Sequence, residues 1–349
     1  MAVEEREQRG GARPLGEREG QILRAIVEDF IRTGEPVGSQ SVAPRCEVSS
    51  ATVRSVMGEL ESLGLLEKPH ASAGRRPTDA GYRYYVDALL TVGEPLSEDR
   101  RLIDEGLGGG SLGPGLQEAS RLLHALSRHA GVVATTRSES TRLRQIDLLR
   151  LGDGKILAVV VTEEGRVLNK LLSLERPPTT EDLGRVTRAL NQLLGEGTVE
   201  ELRERLAREI AQKRALCDEL LGQALGLVQR VLAEEARPEL LLSGQSTLLA
   251  GRDVDLGRIR SILEAIEDGT ILLGILEQAV TARSLQIFIG AESPLGEGAG
   301  VALVAAPYAV AGQLLGAVGV IGPTRMDYSR VIPLVDYTAR TVSRILAER

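Results

Sequence analysis

Apolar positions change their spacing several times along the chain, and each change marks an element. Ile22, Ile26 and Phe30, widened by Leu23, Val27 and Ile31, recur at helical spacing and define a first amphipathic helix. Thr33-Gly34-Glu35-Pro36 ends it, because glycine accepts the left-handed cap and proline cannot extend the helix. A short second helix fits Ser39 to about Pro44. Ser49 is placed to cap a third, through Thr52, Val53, Val56, Met57 and Leu60 to Leu63, stopped by Gly64. Three short helices joined by turns of a few residues make a helix-turn-helix core.

Beyond Gly64 the pattern becomes that of a hairpin. Leu65-Leu66-Glu67-Lys68 reads as a strand, residues 69–74 as a tip, and Arg75-Arg76-Pro77-Thr78 as the returning strand. Pro77 is tolerable there because a wing is an edge. A helix carrying Tyr82, Tyr85, Val86, Leu89 and Leu90 closes this part near residue 90. From Val92 to Gly115 the chain is rich in glycine and reads as a linker.

A helix is expected near 115–130, then strands over 132–137, 144–152, 155–162 and 166–174, with Asp153-Gly154 and Glu164-Gly165 as turns. Helices follow at about 179–194, 198–234 and 255–280. Strands return at Ser284–Gly290, Val301–Ala306 and Gln313–Ile321, and a last helix runs from Asp327 to Leu346 with Pro333 near its start. Two β-rich sections thus flank a helical one. The economical expectation is one α+β sheet domain with a helical insertion, since separate half-sheets would have bare edges. The long stripe of Leu202, Leu206, Ile210, Cys217, Leu221, Leu225, Val228 and Leu232 fits either a buried intrachain face or a dimer surface.

Composition narrows the function more than the fold. The apolar and charged fractions, 42% and 26%, are those of a globular protein. No apolar run approaches the roughly 18 residues needed to span a bilayer. The first 14 residues, charged and lacking an apolar core, read as a loose arm rather than a signal peptide, so a cytoplasmic protein is expected. Two cysteines, Cys46 and Cys217, form no CxxC pattern and are expected to be small apolar residues. The three histidines, His70, His124 and His129, do not form a metal pair; His124 and His129 read as two faces of one helix. No nucleophile, base or phosphate-cradling motif converges, so no catalytic residue, metal or cofactor is expected, and the chain is not read as an enzyme.

The net charge of −7 means that a nucleic-acid reader must concentrate its cations locally. Ser49, Ser50, Thr52, Arg54 and Ser55 cluster at the start of the third helix, the end that enters a major groove in helix-turn-helix proteins. Arg54 suits bidentate contact to guanine or a phosphate. Residues 68–83 carry Lys68, Arg75, Arg76 and Arg83 against Asp79, four positive and one negative, net +3. Residues 15–67 hold five Arg against nine acids, net −4. A basic tip of this kind suits phosphate or minor-groove contact, with His70 as a further donor.

With these residues in view, the chain resembles the heat-inducible transcription repressor HrcA family. The resemblance lies in Ile22 to Val27 with Gly34-Glu35-Pro36-Val37-Gly38-Ser39; in Pro69-His70, Ser72-Ala73-Gly74-Arg75, Pro77-Thr78 and Gly81-Tyr82-Arg83; and in the run from Gly319 to Ser329. It implies an α+β multidomain fold: a winged helix-turn-helix, a GAF-like sheet domain and an inserted, mostly helical dimerising domain. The expected boundaries are an arm at 1–14, a DNA-binding domain at 15–90, a linker at 91–114, a GAF-like domain at 115–182 and 271–349, and an insertion at 183–270.

It also implies repression of chaperone operons by a homodimer on an inverted-repeat (CIRCE-type) operator, modulated by a GroEL-type chaperonin. The expected DNA-contacting residues are Ser50, Thr52, Arg54 and Ser55 on the helix and His70, Arg75 and Arg76 on the wing. The chain departs from the family pattern where Ser50, Ser55 and Val56 replace Pro, Asn and Asp, and where Arg76 replaces an apolar residue. An effector-sensing regulator, with a small molecule in the GAF-like domain, is the alternative.

Overall fold

A computed structural model describes residues 14–70, 73–108, 112–135, 143–152, 155–162, 167–173, 179–194, 240–249, 270–292 and 300–348. The expected helix 198–234, residues 255–269 of the next helical segment, the turns 153–154 and 164–165, residues 1–13 of the arm and Ser72 lie outside them. Two compact units are described separately, one of residues 1–134 with 240–349 and the other of 135–239.

The first unit opens with helices α1 (Glu17–Thr33), α2 (Ser39–Val42) and α3 (Ser50–Ser62), then strands β1 (Leu66–Glu67) and β2 (Arg76–Pro77) and helix α4 (Asp79–Tyr84), which continues as a π-turn over Tyr85–Leu89. Helices α5 (Ser97–Leu107) and α6 (Leu112–Ser127) lead into β3 (Ala130–Thr135). The chain re-enters this unit at β7 (Leu240–Ser243), followed by α8 (Thr270–Ala282), β8 (Gln286–Ile289), β9 (Val301–Val310), β10 (Gln313–Pro323) and α9 (Tyr328–Ala347). The sheet order is β7-β3-β10-β9-β8. Counted within this sheet that is 2-1-5-4-3, a GAF-like arrangement.

Both faces of the sheet are covered, which is why its strands read as unbroken apolar runs. Val132, Ala134, Leu303, Ala305, Ala317 and Ile321 meet Leu272, Ile275, Leu276 and Ala279 of α8. The alternate residues Val133, Ala302, Val304, Val318 and Val320 join the core that holds α5, α6 and α9. Among the described residues, the buried side chains beneath α8 are aliphatic, with Phe288 packed at their edge.

The linker expected at 91–114 is only partly a linker. Residues 97–107 form α5, because Asp99, Ile103 and Leu107 recur at four-residue steps and all are buried. Asp99 is approached by Arg330 at 3.4 Å, and Asp104 accepts from the Tyr337 hydroxyl and the Arg344 guanidinium, each at 2.8 Å. Within α5, Gly106 lies where a Cβ would press on Leu122 of α6. There the missing side chain permits close helix packing. His129 is likewise not on a helix with His124: α6 ends at Ser127, Arg128 turns with φ +61°, and His124 Nδ1 lies 2.9 Å from the His129 carbonyl.

The second unit contains β4 (Leu143–Gly152), β5 (Lys155–Thr162), β6 (Val167–Ser173) and α7 (Thr180–Leu194). The three strands form their own antiparallel sheet, β4-β5-β6. This corrects the expectation of a single shared sheet: β4, β5 and β6 group with α7 in the second unit, and β7 belongs to the sheet of the GAF-like body. Edge exposure does not force the strands together, because β7, assigned from sequence to a helical stretch, already covers the outer side of β3. Ile146, Leu148, Ile156, Ala158 and Val160 bury one face, and Leu183, Val186 and Leu190 form the buried stripe of α7. Asn191 fixes α7 to β4 by accepting from Ile146 N at 3.0 Å and donating to Ile146 O at 2.7 Å.

Candidate nucleic-acid interface

Helix α3 is held from behind and begins with a cap. Val53, Val56, Met57 and Leu60 are buried against α1, whose Ile22, Leu23, Ile26 and Val27 are buried in turn. At the front, Ser49 Oγ accepts from Thr52 N at 3.1 Å and lies 2.8 Å from Thr52 Oγ1. Ala51, Arg54 and Ser55 are exposed, and Ser50 and Thr52 are partly so. The helix therefore presents its N-terminal turn outward, where its free amides and positive dipole end favour phosphate. Among the described residues, no ion pair engages Arg54. Ser55 makes only a long contact, 3.4 Å, to Glu59. Val56, where the family pattern has an acid, faces the core, so that departure removes no group from the exposed face.

The wing is a short ladder, Leu66 against Pro77 and Glu67 against Arg76, extended by a bridge between Val37 and Arg75. Arg75 is not a free cation. Its guanidinium donates to Glu61 of α3 at 2.8 Å, its side chain is only 19% exposed, and its Nε is buried without a hydrogen-bond partner. Arg75 thus ties the wing to the C-terminal part of α3. Arg76 pairs across the ladder with Glu67 at 2.5 Å, both side chains being half exposed. Such a surface pair is worth little and can be exchanged for a phosphate. His70 and Lys68 are exposed.

Arg83, which contributed to the positive count of the wing, faces the body of the unit through Glu292. Sequence counting could not separate these roles, since charge is visible in a sequence and direction is not. The acidity of α1 is also partly offset in place: Arg45 pairs with Glu28 at 2.5 Å and Asp29 at 2.9 Å, and Arg32 pairs with Asp29 at 2.9 Å. Thus Ser50, Thr52, Arg54 and Ser55 come together on the first two turns of α3, while Arg76 and His70 stand on the wing. Cys46 is partly buried, and that burial pushes its thiol pKa up, as in an inert cysteine. The buried Tyr85 hydroxyl is pushed up to about 12 by desolvation, so it stays a neutral core group.

Residues 15–87 match the family model described as the winged helix-turn-helix transcription repressor, HrcA DNA-binding, and residues 115–332 match that of the HrcA protein C-terminal domain. A heat-inducible transcription repressor HrcA from Geobacter sulfurreducens is 40% identical over 337 residues, covering 95% of this chain and 98% of its own. One from Chromobacterium violaceum is 41% identical over 340 residues, covering 96% and 99%. A crystal structure of a hypothetical protein at 2.2 Å is similar at a TM-score of 0.61 and 22% identity, over 96% of this chain and 99% of that one, which bears on the fold alone. Among the described residues, no helix is long and apolar enough to cross a membrane. Two family models that together span most of the chain, and relatives this similar over nearly full length, make the assignment plain: the chain belongs to the HrcA family of heat-inducible transcription repressors.

Proposed function

We propose that this chain represses chaperone operons by binding, as a homodimer, an inverted-repeat operator of the CIRCE type, with a GroEL-type chaperonin as its modulator. The observation that carries the reading is Arg54, exposed one turn beyond the cap of a helix whose other face is fixed in the core. In this reading Arg54, Thr52 and Ser55 read base edges, and Ser50, His70 and Arg76 hold phosphates. Arg75 sets the wing against α3, and could reach a groove edge only by leaving Glu61.

A row of exposed aliphatic residues in the inserted unit supports dimer formation. Leu149 pairs with Leu157 and Leu157 with Leu171 across the three strands. Leu149 and Leu171 are each about half exposed, as are Leu151 and Val167. An uncovered apolar sheet face of this kind favours a protein partner. A second copy satisfies it by two-fold symmetry, and the same symmetry calls for two half-sites in the DNA. Left uncovered, the row also gives a chaperonin apolar surface to hold.

The test is titration of the full chain against an inverted-repeat duplex and a scrambled duplex at two salt concentrations. Preference for the repeat is expected at both. Arg54→Ala should cost about 1–3 kcal/mol on the repeat and relax the preference. Equal affinity for both duplexes at each salt would remove the sequence-specific reading.

A further inference from the structure

The covalent connection between the winged-helix head and the sheet body does little to fix their relation. Residues 91–96 have no regular structure and are exposed except at Pro95. What fixes it is a set of contacts made by two parts of the head, α4 with its π-turn and the end of α1. Arg83 on α4 donates through Nε to both carboxylate oxygens of Glu292, at 3.0 and 3.1 Å, and through a terminal nitrogen to Glu292 and to the Ile287 carbonyl, the latter at 2.5 Å. In return the body's Ala291 N donates to Asp79 at 3.1 Å. Gly290 takes φ +54° in this corner, and a Cβ there would collide with the Asp79 carboxylate.

Two further contacts come from the C-terminal signature run. The Arg325 guanidinium lies against Gly34, the left-handed cap of α1, where a positive charge also meets the negative end of the helix dipole. Tyr328 packs on Tyr82 with ring centroids 6.1 Å apart. The apolar cores of head and body are continuous, Tyr82, Tyr85 and Val86 sharing one cluster with Ile289, Met326 and Tyr328.

We infer that Arg83, Glu292, Asp79 and Arg325 are positioning residues for operator recognition: they lock the recognition helix at a fixed attitude to the body and so select the spacing between operator half-sites. None of the four needs to touch DNA. In a symmetric pair of chains, heads loose on their bodies cannot hold the two α3 helices at one separation, so the clasp is required for a fixed spacing. A repeat whose half-sites are shifted by about five base pairs, half a turn of duplex, then presents its second half-site on the wrong side. The spacing consequence rests on the two-headed reading above; the rigidity of the clasp does not.

The experiment uses the full chain with Glu292→Gln and, acting through different atoms, Gly290→Ala. Spin labels at Leu63→Cys on the head and Gln313→Cys on the body, with Cys46 and Cys217 replaced by Ser and labelled chain diluted in unlabelled chain, report the head-to-body distance without DNA. The unaltered clasp should give one narrow distribution, and both variants should broaden it. Affinity for a single half-site duplex should stay at the wild-type value in both variants. The ratio of affinities between the best-bound inverted repeat and one lengthened by about five base pairs should fall about tenfold, the scale of one charge-assisted contact.

A narrow distribution and an unchanged spacing ratio in both variants would overturn the inference, as would a broadened distribution with an unchanged ratio. Wild-type protein that prefers no inverted repeat would instead remove the proposed function, and the distance distribution would still decide whether the clasp holds the head.

Discussion

Two adjacent arginines of the wing have different work. Arg75 is mostly covered, bonded to Glu61 and bridged through its backbone to Val37, so it maintains the wing's position on α3. Arg76 is half exposed, with only a surface ion pair to give up. Replacing Arg76 by Ala should therefore weaken binding to specific and scrambled duplexes alike. The slope of log affinity against log salt should become shallower by about one phosphate contact. Titrations at several salt concentrations measure this, and an unchanged slope would place Arg76 off the DNA.

At the scale of an element, the first turn of α3 depends on a single hydroxyl. Ser49 accepts from Thr52 N and orients the Thr52 side chain, and the residues assigned to base reading lie within the next turn and a half. Ser49→Ala should lower folding stability by about 1 kcal/mol and fray the segment that meets DNA. Ser49→Asp should restore the cap, because aspartate accepts the same bond and suits the positive helix end. It should nonetheless bind DNA less well than Ser49, because it sets a carboxylate beside phosphate. Urea unfolding combined with operator titration separates the two effects. Recovery of both stability and affinity in the aspartate variant would show that Ser49 acts only as a cap.

For the whole molecule, the aliphatic row across β4, β5 and β6 is the described surface with most to gain from a partner. Leu149 and Leu171 stand more than half exposed on the face opposite Ile146, Ile156 and Val160, so charge placed there leaves the unit's own core intact. Leu149→Asp and Leu171→Asp are expected to keep the fold, by circular dichroism, and to shift sedimentation equilibrium toward the monomer. Operator affinity should fall with them, because two linked heads bind one duplex more tightly than either alone. Unchanged mass in both variants would move the dimer surface elsewhere, the apolar sequence stripe from Leu202 to Leu232 being the next place to test.

Local pattern was enough to set most of the elements, though not α5 or β7, and most of the head. Periodicity placed α1, α3 and the four strands from β3 to β6 within a few residues of their observed ends, because the spacing of buried positions is a local property. Ser49 was legible as a cap and Gly34 as a stop for the same reason. The family resemblance rested on short runs that local reading could quote but not explain. The tertiary structure decided which strands share a sheet, since alternation marks a strand without naming its partner. It decided that residues 97–107 pack as a helix, a matter of what Ile103 and Asp99 meet. It also sorted the cations: Arg54 outward, Arg75 onto Glu61, Arg83 onto Glu292. Charge belongs to the residue, but the direction in which it acts belongs to the fold.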